Sequence, residues 1–518
     1  MTESRPSQSP TIPIISPEIP FYFSRGEREK RFRQSANRNK APFSSRIIST
    51  RGIKLDTFTK EGAVDLQALF EPSTMAVIGV SLSNSRHPAN VIYHKNQLRY
   101  PVKVFPVNPR GGVLQGQRVF SRISEIPEKV DLAVIAVRAE HVPGILSDCV
   151  HSEVGAAAVI SGGFAESGRQ DLQDQIVAIA REAGFPFVGP NCLGIYSPAH
   201  MDTLFLPSER MVRPDPGNVA LVSQSGGILV DQMIKFAEEG VGLSRAVSIG
   251  NKALIDELDL LNYFAQDTET TVIAFYVEGF GKREGRDFVL AASQCPKPVI
   301  VLKAGKSAGG SRAVSSHTAS LAGDYATFST ILSQYGIVEA KNEFEMVTFC
   351  ESLSCYQQSI EGNVGIVTGS GGHGALAVDV CSAHGLSVPS LPEQAQHEIR
   401  NNLSSSAQPI ASVANPVDLT GSAVDDDFVF TATYLSGRPE IDCIIMLLLP
   451  YLPGITSDLG ARLSQVYYQE GKPLVAYVPH VEKYRMFIEG FEINRIPVSP
   501  SIEGAVLLAE AMRRSKPF

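Results

Sequence analysis

Residues 218–227 read NVALVSQSGG and residues 363–372 read NVGIVTGSGG, so the chain opens twice in the same way. In both, a short apolar run without polar alternation meets a Ser/Gly turn and then an apolar stretch of helical spacing. A strand apolar on both faces belongs inside a parallel sheet, and the turn leads straight into the helix that covers it. Two such openings predict two flavodoxin-like domains related by distant duplication. The first continues through apolar runs at 272–277 and 299–303 to a helical stretch near Gln358, and the second through 441–449 and 474–478.

Upstream, from Leu69, the same rhythm gives strands at 75–80, 103–106, 131–137, 156–161 and 185–188, with a helix over 170–183. This block reads as Rossmann-like. A chain of 518 residues also exceeds the size at which one core keeps growing. The expected fold is therefore α/β: a Rossmann-like domain over 65–216 and two flavodoxin-like parallel-sheet domains over 217–360 and 361–518. Residues 1–64 are rich in Ser, Pro, Arg and Asn without periodicity and read as a disordered extension. Arg25, Arg28, Arg31 and Arg33 suit a transit peptide, but Glu18, Glu27 and Glu29 dilute that signature.

A formal charge of −8 gives no broad field for nucleic acid or anionic lipid, so phosphate ligands must be held locally. Apolar runs stop short of the roughly 18 residues a membrane span needs. The seven cysteines (149, 192, 295, 350, 355, 381 and 443) lack the spacing of a metal site or a disulfide framework. A reducing cytoplasm fits them, with no metal held by this chain.

Several turns carry chemistry. Ser225, Gly226 and Gly227 stand where backbone N–H groups approach an anion at a helix start, although Ser225 as a plain cap explains the same residues. The segment from Lys303 to Gly323 sets Lys306 and Arg312 before His317 among small residues, which suits phosphate and an imidazole nucleophile. It is no Walker A loop, because Ile300 occupies the required glycine position. An isolated histidine is more often structural, but Glu278 directly follows the run 272–277. At that sheet edge a carboxylate can fix the imidazole tautomer.

In the first block, Gly79-Val80-Ser81-Leu82-Ser83-Asn84 forms a strand-to-helix turn without the three-glycine dinucleotide fingerprint, which disfavours NAD. Asn108-Pro109-Arg110 ends the next strand with a phosphate-suited cation in place of a ribose-binding acid. Ser161-Gly162-Gly163 and Gly189-Pro190-Asn191-Cys192 end later strands at the same edge, able to pass a long ligand across it, although simple turn chemistry explains each as well. Gly369 to Gly374 matches G-x-G-x-x-G, but close helix packing explains those glycines equally well, and His373 is a weak ligand candidate.

Taken together, VIGVS, PVNPR, SGGFAE, GPNCLG, VSQSGG, YVEGF, LKAGKSAGGSRAVSSHTASLAG and ANPVDLTG resemble, in this order, the NDP-forming acyl-CoA synthetases, over about residues 65–518. The resemblance implies CoA binding by Gly79, Ser81, Leu82, Ser83, Asn84, Asn108, Arg110, Ile160, Ser161, Gly162 and Asn191. It implies phosphate binding by Ser225, Gly226 and Gly227, a phosphohistidine at His317 and a supporting carboxylate at Glu278. The third block resembles the ligase-CoA domain of the ADP-forming branch. His373, where many relatives carry proline, and Val230, where succinyl enzymes carry tyrosine, speak against succinate as the acid. The implied enzyme joins a small carboxylic acid to CoA at the expense of an NTP. The NTP and its Mg2+ are expected on a separate ATP-grasp β subunit in a hetero-oligomer. A non-catalytic CoA- or acyl-CoA-binding regulator of the same fold is the alternative.

Overall fold

The computed structural model describes residues 65–281, 283–317 and 324–515, without the side chains of residues 315–317. The N-terminal extension read as disordered lies outside the described residues. The expected apolar runs form the strands of three largely parallel sheets. The first sheet contains β1 (Thr74–Ile78) and β2 (Lys103–Val107). A small hairpin of β3 (Gly112–Leu114) and β4 (Gln117–Val119) comes next, and then β5 (Leu132–Ile135), β6 (Ala156–Val159) and β7 (Phe187–Val188). The second sheet is built from β8 (Ile195–Ser197), β9 (Met201–Asp202), β10 (Pro216–Ser223), β11 (Leu243–Ser248), β12 (Val272–Val277), β13 (Val299–Lys303) and β14 (Val338–Ala340). The third has β15 (Val364–Thr368), β16 (Val417–Asp418), β17 (Cys443–Leu447), β18 (Leu474–Tyr477) and β19 (Val498–Ser499).

The orders are β2-β1-β5-β6-β7, then β14-β13-β12-β10-β11-β8-β9, then β16-β15-β17-β18-β19. In the first and third sheets the parallel strands, counted along the chain, run 2-1-3-4-5, the flavodoxin-like winding. In the second, the parallel strands β10 to β14 run 2-1-3-4-5 from the β11 side. The first block therefore shares the winding of the other two. In every sheet the order reverses between the first strand and the third, which opens a crevice beyond their carboxyl ends.

Two local expectations change. The strands β8 and β9, which precede residue 216, join the second sheet, β8 pairing antiparallel with β11 through Ile195 with Val247 and Tyr196 with Ala246. Ile195, Tyr196 and Ser197 are all buried there. Residues 79–84 do not lead directly into a helix. The helix is Pro88–Arg99, with His87 as its cap and Pro88 in the first turn, where a missing N–H costs nothing.

The second and third sheets share one core through the helices Glu343–Cys355 and Ile502–Arg514, with Met346, Phe349, Leu353, Leu508 and Met512 buried in it. Among the described residues, no helix is long and apolar enough to cross a membrane.

Candidate active site

The crevice of the second sheet lies between β10 and β12. Register pairs Ser223 with Tyr276 and Val277 with Lys303, so the ends of β10, β12 and β13 stand side by side. Beyond them come Gln224-Ser225, Glu278 and the segment entering the helix Ala308–His317. Ser225, Glu278 and the loop after Lys303 thus share one edge, as the sequence leads one to expect.

Ser225 caps the helix Gly226–Glu238, its Oγ accepting from the Ile228 N–H at 3.4 Å. The capping role is thus real. It is compatible with an anion, because the N–H groups of Gly226 and Gly227 have no carbonyl one turn back and add to the positive end of the helix dipole. The turn is held from below: Ser223 Oγ donates to the Ser225 carbonyl at 2.7 Å and accepts from its N–H at 3.1 Å.

Gln224, to which the sequence pattern gives no role, locks this turn to the next strand. Its Oε1 accepts from the N–H groups of Glu278 (2.5 Å) and Gly279 (3.0 Å), and its Nε2 donates to the Gly279 carbonyl (2.8 Å) and to the Glu257 carboxylate. No local signal marks this, since the partners are remote in sequence. Glu278 is 7% exposed. Burial first, and then the Glu278 charge, push the Tyr276 phenol up to about 12.

Lys303 donates from Nζ to the Glu278 carbonyl at 2.7 Å and to the Ala304 carbonyl. Burial lowers its pKa; Glu278 opposes the shift and Lys306 adds to it. Lys306, expected to face phosphate, is engaged elsewhere, with Nζ donating to the Lys341 carbonyl at 2.5 Å and lying over the Tyr325 ring. Arg312 is exposed. His317 closes its helix by backbone; its side chain lies outside the described residues, as do residues 318–323.

The residues expected to meet CoA gather at the carboxyl edge of the first sheet. Gly79 has φ +102°, and a Cβ there would overlap the Ala136 carbonyl, so only glycine fits. Asn90 braces the loop beyond it, accepting from the Ser81 N–H at 2.6 Å and donating to its carbonyl at 2.8 Å, while Ser81 Oγ accepts from the Asn84 N–H at 3.0 Å. Leu82, Ser83 and Asn84 are exposed, and Leu82 is the apolar member of the group. Asn108 donates to the Val80 carbonyl at 2.6 Å and accepts from the Arg110 N–H at 2.9 Å, leaving Arg110 exposed above the edge. Ile160 and Ser161 are buried; Ser161 Oγ accepts from the Val137 N–H at 3.1 Å. Gly162 is exposed beside Asn191, whose N–H donates to the Ser161 carbonyl at 2.8 Å. Cys192 is buried with its thiol pushed up to about 12 by burial, the state of a packing residue.

In the third sheet, packing explains the glycines. A Cβ at Gly369 would meet Leu452 at 2.7 Å, and one at Gly374 would meet Pro416 at 3.3 Å. His373 lies 5.9 Å from the Tyr477 ring. Among the described residues, Glu71, His200 and Glu269 bring metal-type donors within 4.8 Å of one another. Arg245 pairs both carboxylates, at 2.6 and 2.7 Å, so this is an ion-pair cluster with its cation built in.

Family models match in the same order: a CoA binding domain at residues 73–198, a succinyl-CoA ligase like flavodoxin domain at 216–353 and a ligase-CoA domain at 364–459. The α subunit of acetate–CoA ligase (ADP-forming) I from Pyrococcus furiosus is 34% identical over 460 residues, covering 87% of this chain and 97% of that subunit. The acetate–CoA ligase (ADP-forming) I of Archaeoglobus fulgidus is 36% identical over 390 residues, and the match covers 74% of this chain and 55% of that protein's length. Among solved structures, acetyl-coenzyme A synthetase 1 of Ca. Korarchaeum cryptofilum, in complex with phosphate and ADP, superposes with a TM-score of 0.79 at 32% identity over 87% of this chain and 96% of that one. An identity of this size across nearly a whole α subunit, over three domains in one order, makes this chain a member of the ADP-forming branch of the NDP-forming acyl-CoA synthetases.

Proposed function

We propose that this chain is the α subunit that binds CoA and relays phosphate in the reaction of a carboxylate, CoA and NTP to acyl-CoA, NDP and phosphate. His317 carries the phosphoryl group and Glu278 orients its imidazole. The carrying observation is the convergence at one crevice of an anion-suited helix start at Ser225–Gly227, the buried Glu278 and the helix that His317 ends.

The phosphoryl group passes from the NTP to an imidazole nitrogen of His317 and from there to the carboxylate. The resulting acyl phosphate is attacked at its carbonyl carbon by the CoA thiol, and phosphate leaves. Covalent relay divides one difficult transfer into easier ones. The helix-start N–H groups stabilise spread phosphoryl charge without acting as acids. CoA lies along the first-sheet edge, from Ser81–Asn84 and Arg110 at its phosphates to Ile160–Gly162 and Asn191 at its pantetheine.

The NTP and Mg2+ belong to an ATP-grasp β subunit, and the working enzyme is a hetero-oligomer. The coverage of a relative designated as an α subunit supports this division. All seven cysteines are free thiols, which supports a reducing compartment, and the proposed location is the cytoplasm. The test is co-purification with a candidate β subunit, followed by a carboxylic-acid panel and labelling with γ-phosphate-labelled NTP. Acyl-CoA synthesis with an acid-labile, base-stable label on this chain is expected. Robust synthesis by this chain alone would overturn the division of labour. Calorimetry should find CoA binding without NADH binding, with Arg110→Ala weakening CoA more than dephospho-CoA.

A further inference from the structure

Between the proposed CoA edge and the phosphate crevice runs a short loop after β11 that belongs to none of the sequence motifs. Gly250 has φ +54°, and a Cβ on it would overlap the carbonyl oxygens of Pro190 and Asn191. The loop is pressed against the end of the first sheet, with the Asn251 N–H donating to the Pro190 carbonyl (2.9 Å) and the Ala253 N–H to the Gly189 carbonyl (3.1 Å). Two consecutive side chains leave it toward opposite sites.

Asn251 reaches the first domain. Its Nδ2 donates to Glu166 Oε2 (2.5 Å) and Gln173 Oε1 (3.0 Å), and its Oδ1 accepts from Asn191 Nδ2 (3.2 Å). The other oxygen of Glu166 accepts from the N–H groups of Gly163 (2.5 Å) and Phe164 (3.1 Å), in the loop that begins Ser161-Gly162. Lys252 reaches the second domain. Its Nζ meets Glu257 (3.0 Å), Glu284 (2.9 Å) and the Gly279 carbonyl (3.2 Å), over the Phe280 ring. Glu257, 2% exposed, also takes the Gln224 amide, whose other end holds the N–H groups of Glu278 and Gly279.

We infer that Asn251 and Lys252 are positioning residues that fix the CoA-side loop and the phosphate-side crevice relative to each other. Asn251 sets the Ser161–Phe164 loop through Glu166. Lys252 sets Glu278 and the Ser225 turn through Glu257 and Gln224, because the buried carboxylate keeps the Gln224 amide from turning over. The inference rests on the proposed function above. It gives the two residues separable effects although they are neighbours in the chain: Asn251 acts on the CoA half alone and Lys252 on phosphoryl transfer in both halves.

The test uses the full chain with its β subunit and reads the halves separately: phosphoenzyme formation from NTP, and phosphoenzyme formation from acyl-CoA plus phosphate. Asn251→Ala is expected to raise the KM for CoA and acyl-CoA about tenfold while leaving NTP-driven labelling within about twofold. Lys252→Met is expected to slow labelling from both directions about tenfold with the KM for CoA little changed, and Lys252→Arg to recover most of that loss. Thermal melts identify any variant that merely unfolds, and Asn251→Ser and Lys252→Gln then serve as the milder pair. If folded Asn251 and Lys252 variants show the same kinetic defect, or none, the positioning assignment is overturned. If the unaltered complex forms no phosphoenzyme at all, the proposed function fails instead.

Discussion

The second and third sheets begin with the same turn. In the second, Ser223 Oγ bridges the N–H and carbonyl of Ser225; in the third, Thr368 Oγ1 bridges those of Ser370, at 3.1 and 3.2 Å. Each turn opens a helix at the point where strand order reverses. Beyond the turn the two sheets diverge. Gln224 corresponds to Gly369, whose missing side chain makes room for Leu452. By strand register, Glu278 after β12 corresponds to the buried Leu449 beyond β17, and Lys303 at the end of β13 to the buried Val478 just past β18. The turn and the winding belong to the fold, whereas at these three positions the second sheet carries polar side chains and the third a glycine and two apolar ones.

That contrast can be broken most directly by histidine. His317→Asn is expected to reduce chain labelling and turnover by about 10³-fold or more, as loss of a covalent carrier does, while His373→Asn stays within about twofold. A severe labelling defect in His373→Asn would move chemistry into the third sheet. Next, Glu278→Gln should slow labelling about 10²-fold, because the imidazole loses its orienting charge, without altering the melting temperature by more than about two degrees. Wild-type labelling in that variant would make Glu278 a structural acid.

The third sheet should respond in stability instead. The Asn415 side chain accepts from the Ile366 N–H (2.9 Å) and donates to the carbonyls of Val364 (3.0 Å) and Pro389 (2.8 Å), binding β15 to its neighbours. Asn415→Ala should cost about 2–3 kcal/mol in denaturant unfolding through unsatisfied buried groups, with labelling per folded molecule unchanged.

The smallest effect concerns pH. Burial lowers the pKa of Lys303, so its ammonium loses the proton earlier than an ordinary lysine as pH rises. Activity that depends on the charged form should fall on an alkaline limb below the ordinary lysine range. Lys303→Arg should move that limb upward, and an unmoved limb would assign it to another group.

Much of this is legible along the chain. The buried runs mark the core strands, including Val272–Val277 and Val299–Lys303 at their observed bounds, because strands apolar on both faces have few other places to go. Glu278 and Ser225 stand out because a residue directly after a buried strand must emerge at the carboxyl edge. Asn251, Lys252, Glu257 and the role of Gln224 do not. Their partners include residues distant in sequence, and an isolated Asn, Lys or Gln carries no periodic signal. The transfer of β8 and β9 to the second sheet is equally silent, since a short buried strand does not declare which neighbour it will pair with.

By itself, then, the sequence determined three parallel α/β units, the turn chemistry at their first strands and the residues that stand at the strand ends. Those follow from local rules: apolar run length, Ser/Gly turns and the emergence of the chain at one edge. Only the tertiary structure decided that Gln224 joins Ser225 to Glu278 while one loop touches both the CoA edge and the phosphate crevice. Hydrogen bonds between residues far apart in the chain depend on how the sheets are wound and stacked, and that geometry exists only once the domains have packed.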